Sequence, residues 1–184
     1  MTTEQRIIKA FLNLIQQHPF NEISTAEIMR QAGVTRTYFY RFFDDKVDLA
    51  REAFFSLIED MLENLTQLFK QPNSFVESHT LAAITMIFER KNDMQALLAV
   101  QNADFNLSAE FQDRIKQIIK ADLVRYQQTP VVTLDYFAEL FAASAITTIR
   151  WILNTSADIT ADQVVQYIDT SVYSGMIALL TPEP

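Results

Sequence analysis

Two glycines in 184 residues, Gly33 and Gly175, constrain this chain more than any other feature. Tight two-residue hairpins and phosphate-cradling loops draw on glycine for positive φ, so a chain this poor in it favours long helices over hairpins. The hydrophobic pattern agrees. Ile7, Ile8, Phe11, Leu12 and Ile15 recur at helical spacing, as do Ala50, Phe54, Leu57, Ile58, Met61, Leu65 and Leu68. No segment alternates with the period of a strand.

Punctuation divides the chain into nine helical segments. Pro19 closes the first. Ser24 and Glu27 form a capping box for a short helix to about Ala32, which Gly33 ends by supplying a left-handed position. Thr35 caps a third helix over about residues 36–43. Asp44 and Asp45 cap a long one to about Lys70. Pro72 and Asn73 break the chain, and Ser74 with Glu77 makes a second capping box for a helix to about Arg90. Further helices span about residues 93–103, 108–128 and 133–154. Thr160 and Gln163 form a third box for a helix to about Leu180. The reading is all-α: three short helices over residues 1–48, then a larger helical domain over 49–184.

With 49% hydrophobic residues a sizeable core can be buried. Without cysteine, disulfides and thiolate metal sites are excluded. No uncharged run approaches the roughly 18–20 residues of a membrane helix. The N-terminus reads as an amphipathic helix rather than a signal peptide, so a cytoplasmic setting is expected. The net charge of −8 is uneven. Residues 1–51 hold seven Lys/Arg and six Asp/Glu, a balance of +1, and the acid lies in the remainder. A nucleic-acid face would therefore depend on local arrangement.

The segment from Ile23 to Leu49 has the form of a helix-turn-helix: short helix, glycine turn, short helix, acidic break. With residues 36–43 helical, Phe39, Phe42 and Phe43 cluster on one side and would lock onto Ile7, Phe11, Ile15 and Ile28. The other side shows Arg36, Thr37, Tyr38, Tyr40 and Arg41, groups suited to phosphates and base edges.

These residues resemble the TetR/AcrR family of transcriptional regulators. In VTRTYFYRFFDDKVDL, Val34, Thr35, Phe39, Tyr40, Phe43, Lys46 and Leu49 fall in the family's register. Phe11, Ile15, Phe20, Ile23, Ser24, Ile28 and Ala32-Gly33-Val34 do so upstream. The match covers about residues 5–50. It implies a nine-helix fold with an N-terminal DNA-binding domain and a C-terminal domain for effector binding and dimerisation. It implies phosphate contacts at Thr25, Thr35, Tyr40 and Lys46, and base reading by Arg36, Thr37, Tyr38 and Arg41. Ala26 is too short to reach a base, and Phe42 stands where relatives commonly carry His.

Beyond residue 50 the resemblance is architectural. A small-molecule cavity and a dimer interface compete for the apolar surface. Cavity candidates are His79, Met86, Phe88, Leu97, Gln101, Phe105, Tyr126, Phe137, Phe141 and Trp151; for each, plain core packing is the alternative. Dimer candidates on the last two helices are Ala142, Ala145, Ile149, Ile152, Ile168, Val172, Gly175 and Met176, where small residues allow close approach. The expected function is a ligand-responsive regulator, in the family's common case a repressor, binding palindromic duplex DNA as a homodimer. No cofactor or metal is expected. An enzyme lacks a visible site: no P-loop, no dinucleotide fingerprint, no cysteine nucleophile and no Glu-x-x-His pair. A helical protein acting through protein contacts is the other alternative, kept open by the weak +1 charge.

Overall fold

The computed structural model describes residues 1–68, 77–100, 105–126, 130–173 and Gly175. The described residues form eight α-helices: α1 (Thr3–Ile15), α2 (Thr25–Ala32), α3 (Lys46–Leu68), α4 (Glu77–Glu89), α5 (Lys91–Leu98), α6 (Leu107–Tyr126), α7 (Val131–Asn154) and α8 (Ala161–Ile168). Two 3-10 segments, Phe20–Glu22 and Arg36–Arg41, flank α2, and a π segment, Asp169–Tyr173, follows α8. The fold is all-α, and the third of the nine expected helices is the 3-10 segment Arg36–Arg41.

The chain divides into two compact units. One comprises Met1–Ile58 with Arg90–Leu107, the other Glu59–Glu89 with Ser108–Pro184.

In the first unit α1 begins at a capping box: Thr2 accepts from the Gln5 amide while the Gln5 side chain accepts from the Thr2 amide. It ends at Ile15, four residues before Pro19. Its buried face is Ile7, Ala10, Phe11, Leu14 and Ile15, and the expected Ile8 and Leu12 are only half-buried. Helix α3 is capped by Asp45, whose carboxylate accepts from the Asp48 amide at 2.8 Å. Asp48 in turn accepts from the Asp44 amide at 3.0 Å. Of the α3 stripe, Ala50, Phe54, Ile58 and Met61 are buried; the side chains of Leu65 and Leu68 lie outside the described residues.

In the second unit α7 buries Leu134, Phe137, Ala138, Ala142, Ile146, Ile149, Ile152 and Leu153 along one face. Asp135 and Glu139 on α7 pair with Lys120 and Lys116 on α6. One group of each pair is shifted toward its charged form. Hydrogen bonding to Glu139 raises Lys116, and hydrogen bonding to Lys120 lowers Asp135. By length and composition α7 is apolar enough to cross a membrane, a test that a core helix also passes. Helix α8 carries the expected box, Thr160 accepting from the Gln163 amide and Gln163 from the Thr160 amide. It closes at Ile168 and widens into the π turn instead of running on as one α-helix. The Ser74–Glu77 box lies outside the described residues.

Candidate nucleic-acid interface

The helix-turn-helix is built by α2, the turn at Gly33 and the 3-10 segment. Ser24 caps α2 by accepting from the Glu27 amide at 3.1 Å. Only this half of the expected box forms, because the Glu27 carboxylate turns to Arg30. At the far end the Val34 amide donates to Met29 and the Gly33 amide to Arg30, a Schellman pattern that requires a left-handed residue. Gly33 supplies it, at φ 66° and ψ 37°.

The Arg6 guanidinium, reaching over from α1, donates to the carbonyls of Ala32 (2.7 Å) and Gly33 (3.1 Å). A cation here neutralises the negative end of α2. Nothing in the sequence marked Arg6, which reads as a solvated charge beside an apolar stripe.

In the recognition segment Phe39 and Phe43 are buried and tilted against each other at 5.5 Å. Phe42, expected beside them, is 39% exposed. The reason is local. The segment is a 3-10 helix that stops at Arg41, and Phe42 takes φ −117°, which turns it out of the ridge leading to Phe39. Phe43 returns to the core through an α-type bond from its amide to the Phe39 carbonyl.

The 3-10 geometry also orders the outward face. Residues three apart eclipse one another in such a helix, so the Arg41 guanidinium lies over the Tyr38 ring at 5.3 Å. Arg36 approaches the Tyr40 hydroxyl at 3.5 Å. Tyr38 and Tyr40 are 41% and 58% exposed. Thr35, Arg36, Thr37 and Arg41 are exposed, and Thr25 is half-buried at the start of α2. Arg36 and Arg41 thus rest on neutral groups, whereas Arg30 faces Glu27 and Arg51 faces Asp48.

Lys46 departs from the expected phosphate contact. Its ammonium turns inward and donates to the carbonyls of Phe20 (2.6 Å) and Ile23 (2.7 Å), with the Phe20 ring 4.4 Å away. Burial lowers its pKa below the usual lysine value.

The remaining candidates are scattered. Phe105 packs in the first unit, where Arg51 lies over its ring at 5.3 Å. Leu97 is buried in that unit as well. Trp151 is 42% exposed, edge-on to Tyr167 of α8, and is likewise a surface group. Phe137 and Phe141 stack at 6.2 Å in the second unit. His79, Met86 and Phe88 are half-buried there. His79 Nδ1 is buried without a hydrogen-bond partner. Gln101, Met176 and the side chains of Tyr126 and Val172 lie outside the described residues.

Among the dimer candidates, Ala142, Ile149 and Ile152 are buried within the chain itself, because they lie on the core face of α7. Ala145 and Ile168 are half-buried, and Gly175 has no described residue within 4 Å of where a Cβ would stand. The large apolar side chains that α7 exposes are different ones, Val131, Val132, Tyr136, Leu140 and Trp151, with Thr147, Arg150 and Asn154 exposed beside them.

A buried aromatic anchor beneath an outward row of arginine, threonine and tyrosine, reached through a glycine turn, defines a helix-turn-helix protein. The sequence profile for bacterial regulatory proteins of the tetR family matches residues 7–53. The HTH-type transcriptional regulator AcrR of Shigella flexneri is 30% identical over 135 residues, 64% of this chain and 63% of that protein, just under two thirds of its length. Among solved structures, NalD, the secondary repressor of the MexAB-OprM multidrug efflux pump in Pseudomonas aeruginosa, superposes with a TM-score of 0.63 at 18% identity, over 98% of this chain and 96% of that one. The dihydroxyacetone kinase operon activator DhaS does so with 0.62 at 16% identity, over 98% of both. The chain thus resembles the TetR/AcrR family of regulatory proteins, most specifically over residues 7–53.

Proposed function

We propose that the chain is a homodimeric, effector-responsive transcriptional regulator that represses by binding a palindromic operator. Residues 1–48 act on DNA, and residues 49–184 hold the effector and dimer surfaces. The observation that carries this reading is the recognition segment, where two arginines with no carboxylate partner among the described residues stand on a face anchored by Phe39 and Phe43. Arg36, Thr37, Tyr38 and Arg41 read bases. Thr25, Thr35 and Tyr40 take phosphates, their hydroxyls giving register without sequence information.

Dimerisation is assigned to the exposed stripe of α7 with Tyr167 of α8. Val132, Tyr136 and Leu140 follow at intervals of four, and Trp151 lies three turns further on. Such a row of large apolar side chains on one face marks an interface. Two heads on one body make the second DNA contact intramolecular. The effector is assigned to the second unit near Phe137 and Phe141, a stacked aromatic pair suited to an apolar molecule.

The test is fluorescence anisotropy with the intergenic DNA flanking the gene. Saturable binding that outcompetes random DNA, two subunits per site, supports the reading. Equal affinity for all DNA, or none, refutes it and leaves the alternative of a helical protein acting through protein partners. Reporter expression rising when the gene is deleted establishes repression, and falling expression reverses that sign.

A further inference from the structure

Seven cations lie within residues 1–51, and two of them are directed at backbone carbonyls rather than at solvent. Lys46, the first residue of α3, bonds Phe20 and Ile23, the connector that ends one residue before the Ser24 cap of α2. Arg6, on α1, bonds Ala32 and Gly33, where α2 ends. We propose that Arg6 and Lys46 are positioning residues that clamp α2 at its two ends, and that neither takes a phosphate. The proposal rests on the DNA-binding reading above for its functional consequence.

The geometry is specific. An ammonium has three donors; two of those of Lys46 meet carbonyls, and the Phe20 ring lies close by. Arg6 meets the carbonyl end of α2, where a helix leaves its acceptors without internal partners. Helix α2 has eight residues, too few turns to hold its own ends in place. Arg6 belongs to α1, a longer helix with a buried face in the same unit, and Lys46 to the first turn of α3, whose residues up to Ile58 lie in that unit as well. Through Gly33, α2 leads directly into Arg36–Arg41. A displacement of α2 therefore carries Thr25 and the recognition segment with it. A second consequence is electrostatic: Arg36 and Arg41 become the cations of the reading face, and the salt dependence per head is shallow.

The experiment uses the full chain carrying Arg6→Met, Lys46→Met, Arg6→Lys or Lys46→Arg, with Arg41→Ala for comparison. Two quantities are measured: amide hydrogen exchange of the DNA-free protein, and operator affinity across salt concentrations. The clamp predicts that amides of Ile28–Ala32 exchange at least about tenfold faster in the Met variants, while the interior of α1 is unchanged. Operator affinity should fall at least about tenfold with an unaltered salt slope, and the conservative variants should recover part of it. Removal of a phosphate contact instead flattens the slope by about 0.9, as expected for Arg41→Ala if it meets a phosphate. A slope loss of that size in Lys46→Met or Arg6→Met overturns the proposal for that residue, and unchanged exchange with unchanged affinity overturns the clamp. Should a Met variant fail to fold, reductive methylation of the unmodified protein decides Lys46: a rate unaffected by operator supports the clamp, and protection by operator refutes it. If the unmodified protein binds no DNA, the DNA reading fails, while the exchange measurement still decides the clamp.

Discussion

The Arg6 Nη2 nitrogen lies 3.1 Å from the Gly33 carbonyl oxygen and 2.9 Å from the point where a Cβ on Gly33 would stand. Two independent constraints thus fall on one residue. Its φ of 66° strains any L side chain, and a methyl there displaces the guanidinium from its carbonyls. Gly33→Ala should lower stability by about 1–3 kcal/mol, the usual cost of a non-glycine residue in that conformation, as read from urea denaturation. A Cβ on the helical Gly175 would meet nothing within 4 Å among the described residues, so Gly175→Ala should be neutral or stabilising by up to about 1 kcal/mol. Similar losses at both positions would contradict this account of the turn.

Phe39 and Phe43 anchor the recognition segment, and Phe42 does not. Full burial of a phenylalanine predicts a loss of about 3–5 kcal/mol for Phe39→Ala or Phe43→Ala. Phe42→Ala should cost about 1 kcal/mol or less, since its ring already faces solvent in part. Thermal unfolding of the three variants ranks them; Phe42 at or above the other two would return it to the core.

Sequence preference should reside in Arg36 and Arg41. Truncating an arginine that grips a base edge costs on the order of 1–3 kcal/mol on the operator and less on random DNA. Competition anisotropy with both duplexes checks this. Equal losses on the two would move that arginine to the phosphate backbone.

The two faces of α7 should separate association from folding. Leu140→Glu, on the exposed stripe, should give a monomer by light scattering with little loss of helicity, and operator binding should weaken with it. Ile149→Ala, on the buried face, should cost about 2–5 kcal/mol of stability while the protein that remains folded stays dimeric. A dimer that survives Leu140→Glu would place the interface elsewhere.

Much of this architecture is legible in the sequence because it depends on residues close together in the chain. A Ser, Thr or Asp followed three residues later by its partner amide caps a helix whatever surrounds it, and Gly33 ends α2 for the same local reason. The register from Val34 to Leu49 likewise reads directly. The candidate site was legible in part. Arg36, Thr37, Tyr38, Tyr40 and Arg41 face outward as the periodicity requires, whereas Phe42 was misplaced because an α-helix was assumed where the backbone winds as a 3-10 helix.

What the sequence by itself determined is which segments are helical, where the turn falls, and which family register the first fifty residues share. What only the tertiary structure decided is the direction in which the long or ambiguous side chains point. Lys46 and Arg6 are ordinary surface cations by composition. They become internal ties because carbonyls 26 residues away in sequence are brought within hydrogen-bond distance. Helix α7 is apolar around most of its circumference, so its pattern names no unique inner face. Packing against the rest of its unit selects Ala142, Ile149 and Ile152 for the core and leaves Tyr136, Leu140 and Trp151 outside. Local propensity acts over one or two turns, but burial is settled only when distant elements meet, and no short window of sequence contains that information.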